Sequence, residues 1–526
     1  MKSDPKTIFK EYLKGASFKE TLGNKGLFEQ TKINERFYVG DQWYGAKCGN
    51  DRPLVRYNVI KRIGDYKMSQ IICAPISLKY SALGVASDAQ SKNSVKLKKA
   101  ELSKNKDISF SGGIGPDEIN LIMSVMGDYR VSTANRIGLD SLMATALKKA
   151  FISGTGIIYT YWDNGVKTDA SGDINCEVLD VENVFFADPY NTNLQTQPYI
   201  IIASRVDAAA VIREIGDGGT AAKNIKADND GKVLVLTKFY KDYSYEGGGR
   251  VRCVKVTENC VIRKDFDTRL TRYPLASICW EERGGLAYGQ SEVTYLIPNQ
   301  IAINRMITAN VWAAMTMGMP MMVVNGDTVT AEITNDPGQI IKVYGTNEDV
   351  AGAVKFITPP DFSSCLGESI KDLITNTLTQ SGANEVALGD TRADNAAALT
   401  ALMDAAVLPL QILRKRYYSF QEEIALIWAD FWFTHYGNRN LCIEDENGVW
   451  YLPFDAHRYS AVSVIAQADV GQIKAKDSET ASVLNQLYEK GILDKKQYVK
   501  RLPDNLLPDK EGILSFLKEE EENEGI

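Results

Sequence analysis

Histidine is almost missing from this chain of 526 residues, which has two, His435 and His457. A zinc centre or a histidine-dependent hydrolase would have to be built on one of them, so both are poor explanations of so long a protein. Eight cysteines, at 48, 73, 176, 253, 260, 279, 365 and 442, form no Cys-x-x-Cys pair. That scatter is what reduced, buried thiols leave behind, and it predicts neither a disulfide framework nor a metal knuckle. No GxxxxGK[ST] phosphate loop is present, which excludes an ATP-driven motor of that type. The glycines at 112, 113 and 115 lack the GxGxxG spacing, and no GxSxG, HExxH or kinase set appears. The expectation is therefore a protein that is not an enzyme, with no cofactor and no bound metal.

Positive charge is also in short supply. Sixty Lys and Arg face 67 Asp and Glu, giving a net charge of −7 and a pI of about 5.3. A protein that grips nucleic acid by neutralising phosphates is usually basic, so tight wrapping of DNA or RNA is disfavoured. A surface along which a polyanion slides without being held is still compatible with this balance. Long apolar runs are missing as well. The uncharged stretch Val311–Val324, VWAAMTMGMPMMVV, has 14 residues, five of them methionine. It is shorter than the roughly 20 residues that span a bilayer, and Gly318 and Pro320 interrupt any continuous helix. The first residues, MKSDPKTIFKEYLKG, have no apolar signal-peptide core. These features predict a soluble, cytoplasmic chain with no membrane anchor of its own.

What the chain does have is ample core material, 44% hydrophobic against 24% charged, enough for more than one domain. Residues 5–40 read as amphipathic helix, and 57–72 as a second helical pattern leading into the alternating ISLKYSAL. A polar, Lys-rich stretch, 84–114, reads as a solvated surface insertion. Pro116 with Asp117 and Glu118 suits a helix start, and two helices are expected before Ser153. GIIYTYW, INCEVLDV and VFFADP read as strands, and YIIIASRVDAAAVIREIG as a strand running into a helix. Residues 232–283 are rich in strand patterns around a Gly turn at 247–249. The fold class expected up to about residue 285 is mixed α+β.

Beyond that point the texture changes. Residues 291–314 carry a helical apolar pattern with Ser291 as N-cap. Short strands are expected over 321–357, and another helix over 364–380. The polar stretch SGANEVALGDTRAD precedes a long helix, Asn395 to Tyr436, which Pro409 should bend. Strands at 440–455 and a helical end over 467–522, closing in EEEENE, complete the chain.

The order of these parts resembles the portal proteins of tailed bacteriophages. Four stretches resemble that family directly. These are FYVGDQW with RPLVRYNVIKRIGDYKMSQI, then GQSEVTYLIPNQIAINRMITAN, then SGANEVALGDTRADNAAAL, and LNQLYEKGILDKKQYVKRLP near the end. The resemblance covers residues 30 to 515 and rests on order and spacing more than on any single motif. It implies a portal-type fold: a mixed wing over 1–285, a first stem helix over 286–315, a clip over 316–363, and a second stem helix over 364–382. A tunnel loop over 383–394, a long bent helix with wing strands over 395–460, and a helical crown over 461–526 would follow.

The function implied is structural. Copies would form a ring, usually a dodecamer, at one capsid vertex. Double-stranded DNA would enter and leave through it, and the large terminase and a head–tail adaptor would dock on it. The major capsid and scaffolding proteins would surround it, with no membrane involved. By the same resemblance Asn384, Glu385, Asp390, Arg392 and Asp394 belong to the tunnel loop. Lys371 would lie on the channel face of the second stem helix. Asn325, Asp327 and Glu332 would meet terminase and adaptor. Val311, Trp312, Met315, Met317, Met319 and Met321 would lie between subunits, where methionine adapts to irregular contacts. An ordinary buried strand within one subunit, surface residues without a DNA role, a cytosolic enzyme and another virion structural protein are the competing readings.

Overall fold

The computed structural model describes residues 4–45, 53–73, 77–83, 115–167, 171–216, 225–244, 249–317, 321–324, 327, 329, 346, 354–357, 363–383, 408–445, 448–456, 463–469, 477–491, 493–502 and 513. Two helices open the chain, α1 (Pro5–Thr21) and α2 (Leu27–Val39). Asp4 caps α1 by accepting from the Thr7 amide, and Pro5 sits where a missing N–H costs nothing. Helix α3 (Val59–Ile72) and strand β1 (Ser77–Ala82) follow. The next pair, α4 (Pro116–Ile137) and α5 (Leu139–Ser153), is divided by Gly138 at φ 69°, the left-handed conformation that ends α4.

Strands β2 (Thr155–Lys167) and β3 (Ser171–Leu179) form a hairpin, and β9 (Leu275–Cys279) joins β2 to make a three-stranded sheet ordered β3-β2-β9. A five-stranded antiparallel sheet is built in chain order from β4 (Val184–Phe186), β5 (Tyr199–Asp207), β6 (Lys232–Asp242), β7 (Arg250–Val256) and β8 (Val261–Asp267). Helix α6 (Ala208–Ile215) leaves directly from β5.

The run YIIIAS in β5 looks uniformly apolar because both faces of this sheet are covered. Ile200 and Ile202 enter the main core, while Ile201 and Ala203 enter a second, smaller cluster with Ile8 of α1 and Phe185. Period-two alternation thus becomes a continuous hydrophobic run when both faces of a sheet are covered.

Next come helix α7 (Glu292–Met317), the strand pair β10 (Met321–Val324) and β11 (Val354–Ile357), and helix α8 (Ser363–Gln380). Strands β10 and β11 pair antiparallel, with Met321 opposite Ile357. Helix α9 (Gln411–His435) contributes Phe420, Ile424, Trp428 and Trp432 to the main core, alongside Phe151 of α5. Strands β12 (Asn438–Asp445) and β13 (Gly448–Asp455) form a hairpin. Strand β14 (Val464–Asp469) pairs antiparallel with β1, joining distant parts of the chain. Helices α10 (Asp477–Glu489) and α11 (Lys495–Arg501) close the described part. The architecture is mixed helix and sheet, as the residue patterns predict.

Three details depart from the sequence reading. Pro409 sits in a 3-10 turn, Leu408–Leu410, ahead of α9 and not inside a helix, which suits its missing donor. Residues 395–407 lie outside the described residues. The helical pattern expected from 467 starts as the end of strand β14, because that segment completes a ladder with β1. A proline that the pattern did not flag, Pro298, lies inside α7. The Lys-rich stretch 84–114 and the strand pattern QIIKVYG lie outside the described residues.

Candidate subunit interface and channel segment

The start of α7 is fixed from below by close backbone contact. A Cβ on Gly289 would fall 2.3 Å from the Gly154 carbonyl oxygen, so only glycine lets the turn before α7 touch the end of α5. Ser291 follows, buried, with its hydroxyl donating to the Phe151 carbonyl at 2.7 Å and accepting from the Val293 amide at 3.1 Å. The Ser291 N-cap expected from sequence is thus present. Glu292 accepts from Lys67 of α3 at 2.6 Å and from the Trp280 indole at 2.9 Å. Asn34 of α2 donates to Thr294 at 3.0 Å and to the Ile152 carbonyl at 2.8 Å.

Higher on the helix, three polar side chains recur at four-residue spacing, Gln300, Asn304 and Thr308. They face an extended segment, 53–58, and satisfy its backbone as a neighbouring strand would. Thr308 accepts from the Val55 amide at 3.2 Å and Asn304 from the Tyr57 amide at 3.0 Å. Gln300 accepts from the Val59 amide at 3.0 Å and donates to the Tyr57 carbonyl at 2.6 Å. Asn304 also donates to Gln42. A buried backbone group without a partner costs about 1–3 kcal/mol, so these amides hold the segment in place rather than adorn it.

Opposite this ladder lies α8. Its Thr377, near the end, accepts from Asn299, near the start of α7, at 3.3 Å, so the two helices run antiparallel up to the β10–β11 pair. Ile297 and Ile307 of α7 and Leu373, Ile374 and Leu378 of α8 pack on the main core. Of the 26 residues of α7 only Glu292 and Arg305 are charged, and Glu292 is already paired with Lys67. The last turns of α7 beyond Arg305 therefore carry no charge on any side, a composition that suits a covered helix.

The interface residues expected from sequence divide accordingly. Val311 and Trp312 are half-buried on α7, and Met315 is 63% exposed. Met317 ends the helix and Met321 opens β10; their side chains, and Met319 altogether, lie outside the described residues. Lys371 is exposed on α8 and Asp327 is exposed in a turn. Asn325, Glu332, Asn384, Glu385, Asp390, Arg392 and Asp394 lie outside the described residues.

Titratable groups elsewhere line a cleft of about 620 Å³ between the two larger sheets. In it burial pushes the Cys253 thiol up to about 12, so it is protonated at neutral pH and a poor nucleophile. His435 stacks on Trp162, with ring centroids 4.8 Å apart. Burial, and then the nearby Arg269, lower its pKa. Among the described residues no group of three His, Cys, Asp or Glu is placed to hold a metal, and no helix is long and apolar enough to cross a membrane.

Sequence reading missed the Gln300–Asn304–Thr308 ladder. Its signal was present, three hydrogen-bonding residues at i, i+4 and i+8 on one face of a helix nearly free of charge. No family model matches the chain, and no curated protein matches it. Among solved structures, a chain from the virion of a native gene transfer agent particle is similar over 93% of this chain and 98% of its own length. The identity is 10% and the TM-score 0.35.

Proposed function

We propose that the protein is a portal subunit, a non-enzymatic component of a ring at one vertex of a tailed-phage capsid. The observation that carries this reading is α7. It has only two charged residues in 26. It is tied at its base by buried hydrogen bonds and flanked by α8, and its last turns present apolar surface to the outside. Neighbouring copies would supply the missing cover. A helix–hairpin–helix excursion from a mixed body matches the order of parts implied by the portal resemblance.

In this reading the ring conducts double-stranded DNA during packaging and ejection. The overall acidic balance lets the duplex move, because many Lys–phosphate and Arg–phosphate contacts would hold it tightly. Lys371 and Arg392 guide it, and the tunnel-loop residues Asn384, Glu385, Asp390 and Asp394 line the channel. The segment bearing Asn325, Asp327 and Glu332 receives terminase and then the head–tail adaptor, while capsid and scaffolding proteins surround the wing. Negative-stain electron microscopy of the purified protein tests the reading. Rings with a central hole wide enough for a duplex support it; uniform compact particles without a hole would refute it.

A further inference from the structure

Two exposed apolar patches flank α7, one at its base and one higher up. The first is Tyr295, Leu408 and Ile412, which are 59%, 65% and 68% exposed. Tyr295 and Ile412 line one cavity of about 410 Å³, and Leu408 adjoins Pro409 in its wall. The second patch is Val39, Tyr44, Leu54 and Tyr57, all exposed. Its two strands of chain are tied together, since the Trp43 indole donates to the Val55 carbonyl at 3.0 Å and Asn58 donates to the Tyr38 carbonyl at 2.9 Å.

The patches lie on opposite sides of one helix. Tyr295 belongs to the first, while the second hangs on Asn304 and Gln300 through Tyr57. At about 100° per residue, nine residues from Tyr295 to Asn304 turn the helix by two and a half revolutions, so the two point roughly 180° apart. Charge around the first patch is mixed: Glu281 and Glu282 are exposed there, Glu282 is paired with Arg416 at 3.2 Å, and Lys415 is exposed one turn from Ile412. Beside the second are Arg36, whose guanidinium lies 3.6 Å over the Tyr44 ring, and the exposed Arg56 and Lys61.

A self-complementary dimer uses one patch twice, whereas a closed ring needs two different patches facing in different directions. Resting on the ring proposed above, we infer that the Tyr295–Leu408–Ile412 patch of one copy packs against the Val39–Tyr44–Leu54–Tyr57 patch of the next copy. Glu281, at the edge of the first, meets Arg56 and Lys61 at the edge of the second. Apolar side chains, with tyrosine prominent, form the dry centre, and the charged rims set direction.

The test uses the full chain with Cys48, Cys73, Cys279, Cys365 and Cys442 changed to serine, which leaves the buried Cys176, Cys253 and Cys260. Ile412→Cys and Tyr44→Cys are made singly and together, and each protein is treated with a short bismaleimide. The double variant is expected to give a denaturing-gel ladder of dimers, trimers and higher multiples. Each single variant should stay at the monomer band, and an equimolar mix of the two singles should stop at dimers. Ile412→Asp, at an exposed site that leaves the core intact, is expected to weaken association at least tenfold. Rings that form with no ladder from the double variant, and that tolerate Ile412→Asp, would overturn this pairing while leaving the ring itself standing. A ladder from either single variant would also overturn it. Failure of the parent protein to form rings would overturn the portal reading instead.

Discussion

Lys19 shows how much of the fold is decided by a single side chain. It lies in α1 among lysines that are exposed, Lys10 and Lys14, yet it is fully buried. Its ammonium donates to the carbonyls of Val181 at 2.6 Å, Glu182 at 3.0 Å and Val184 at 2.7 Å, and sits 3.7 Å from the Phe185 ring centroid. All three N–H groups are thereby used, which is what allows a cation to be buried without an anion. Lys19→Met should lower unfolding stability by about 2–4 kcal/mol, because the carbonyls lose their donor, and urea titration would measure it. Burial draws the Lys19 pKa well below its ordinary value. The unfolded chain then binds more protons than the folded one between that lowered value and the ordinary one. Raising the pH through this window favours the folded state, and lowering it does the reverse. That slope should vanish in Lys19→Met. None of this was legible in the sequence, where a lysine on an amphipathic helix reads as solvated surface. The contacts that bury it come from residues far along the chain.

Elements were easier to read than their partners. Pro116 at a helix start, two helices before Ser153 and a strand running into a helix over YIIIASRVDAAAVIREIG are local events set by backbone chemistry, and the structure has all three. Pairing of β1 with β14 was not readable, because alternation names a strand without naming its neighbour. Pro298 and Pro409 exchanged roles for a similar reason. A proline inside a helix is tolerated where tertiary packing holds both flanks, and α7 is held at Glu292, Gln300 and Asn304. The α7 ladder gives an element-scale prediction. Gln300→Ala leaves the Val59 amide and the Tyr57 carbonyl with only the bond to each other, at 3.0 Å, and should cost about 1–2 kcal/mol. Hydrogen exchange should quicken in residues 53–59 before it does in β5 or β6. Unchanged protection there would mean that the segment is held by something other than the helix.

For the whole molecule, the candidate site was legible in outline and not in detail. Charge depletion of α7 and the Met-rich run are visible in the letters, because the absence of charge is a property of composition; burial between copies is what the proposed ring would add. Which face is covered by the chain itself and which is left open depends on tertiary contacts. That is why Val311 and Trp312 emerge half-buried while Met315 stands out, and why Tyr295, Ile412 and Tyr44 gained importance only in the structure. An acidic chain with an apolar, nearly uncharged helix at its edge is stable alone only at the cost of wetting that surface, and a ring removes the cost. Light-scattering mass of the purified protein tests this most directly. A particle of roughly 700 kDa, near twelve copies of the 58.2 kDa chain, is the expected result. A stable, soluble species at the mass of one chain would contradict it.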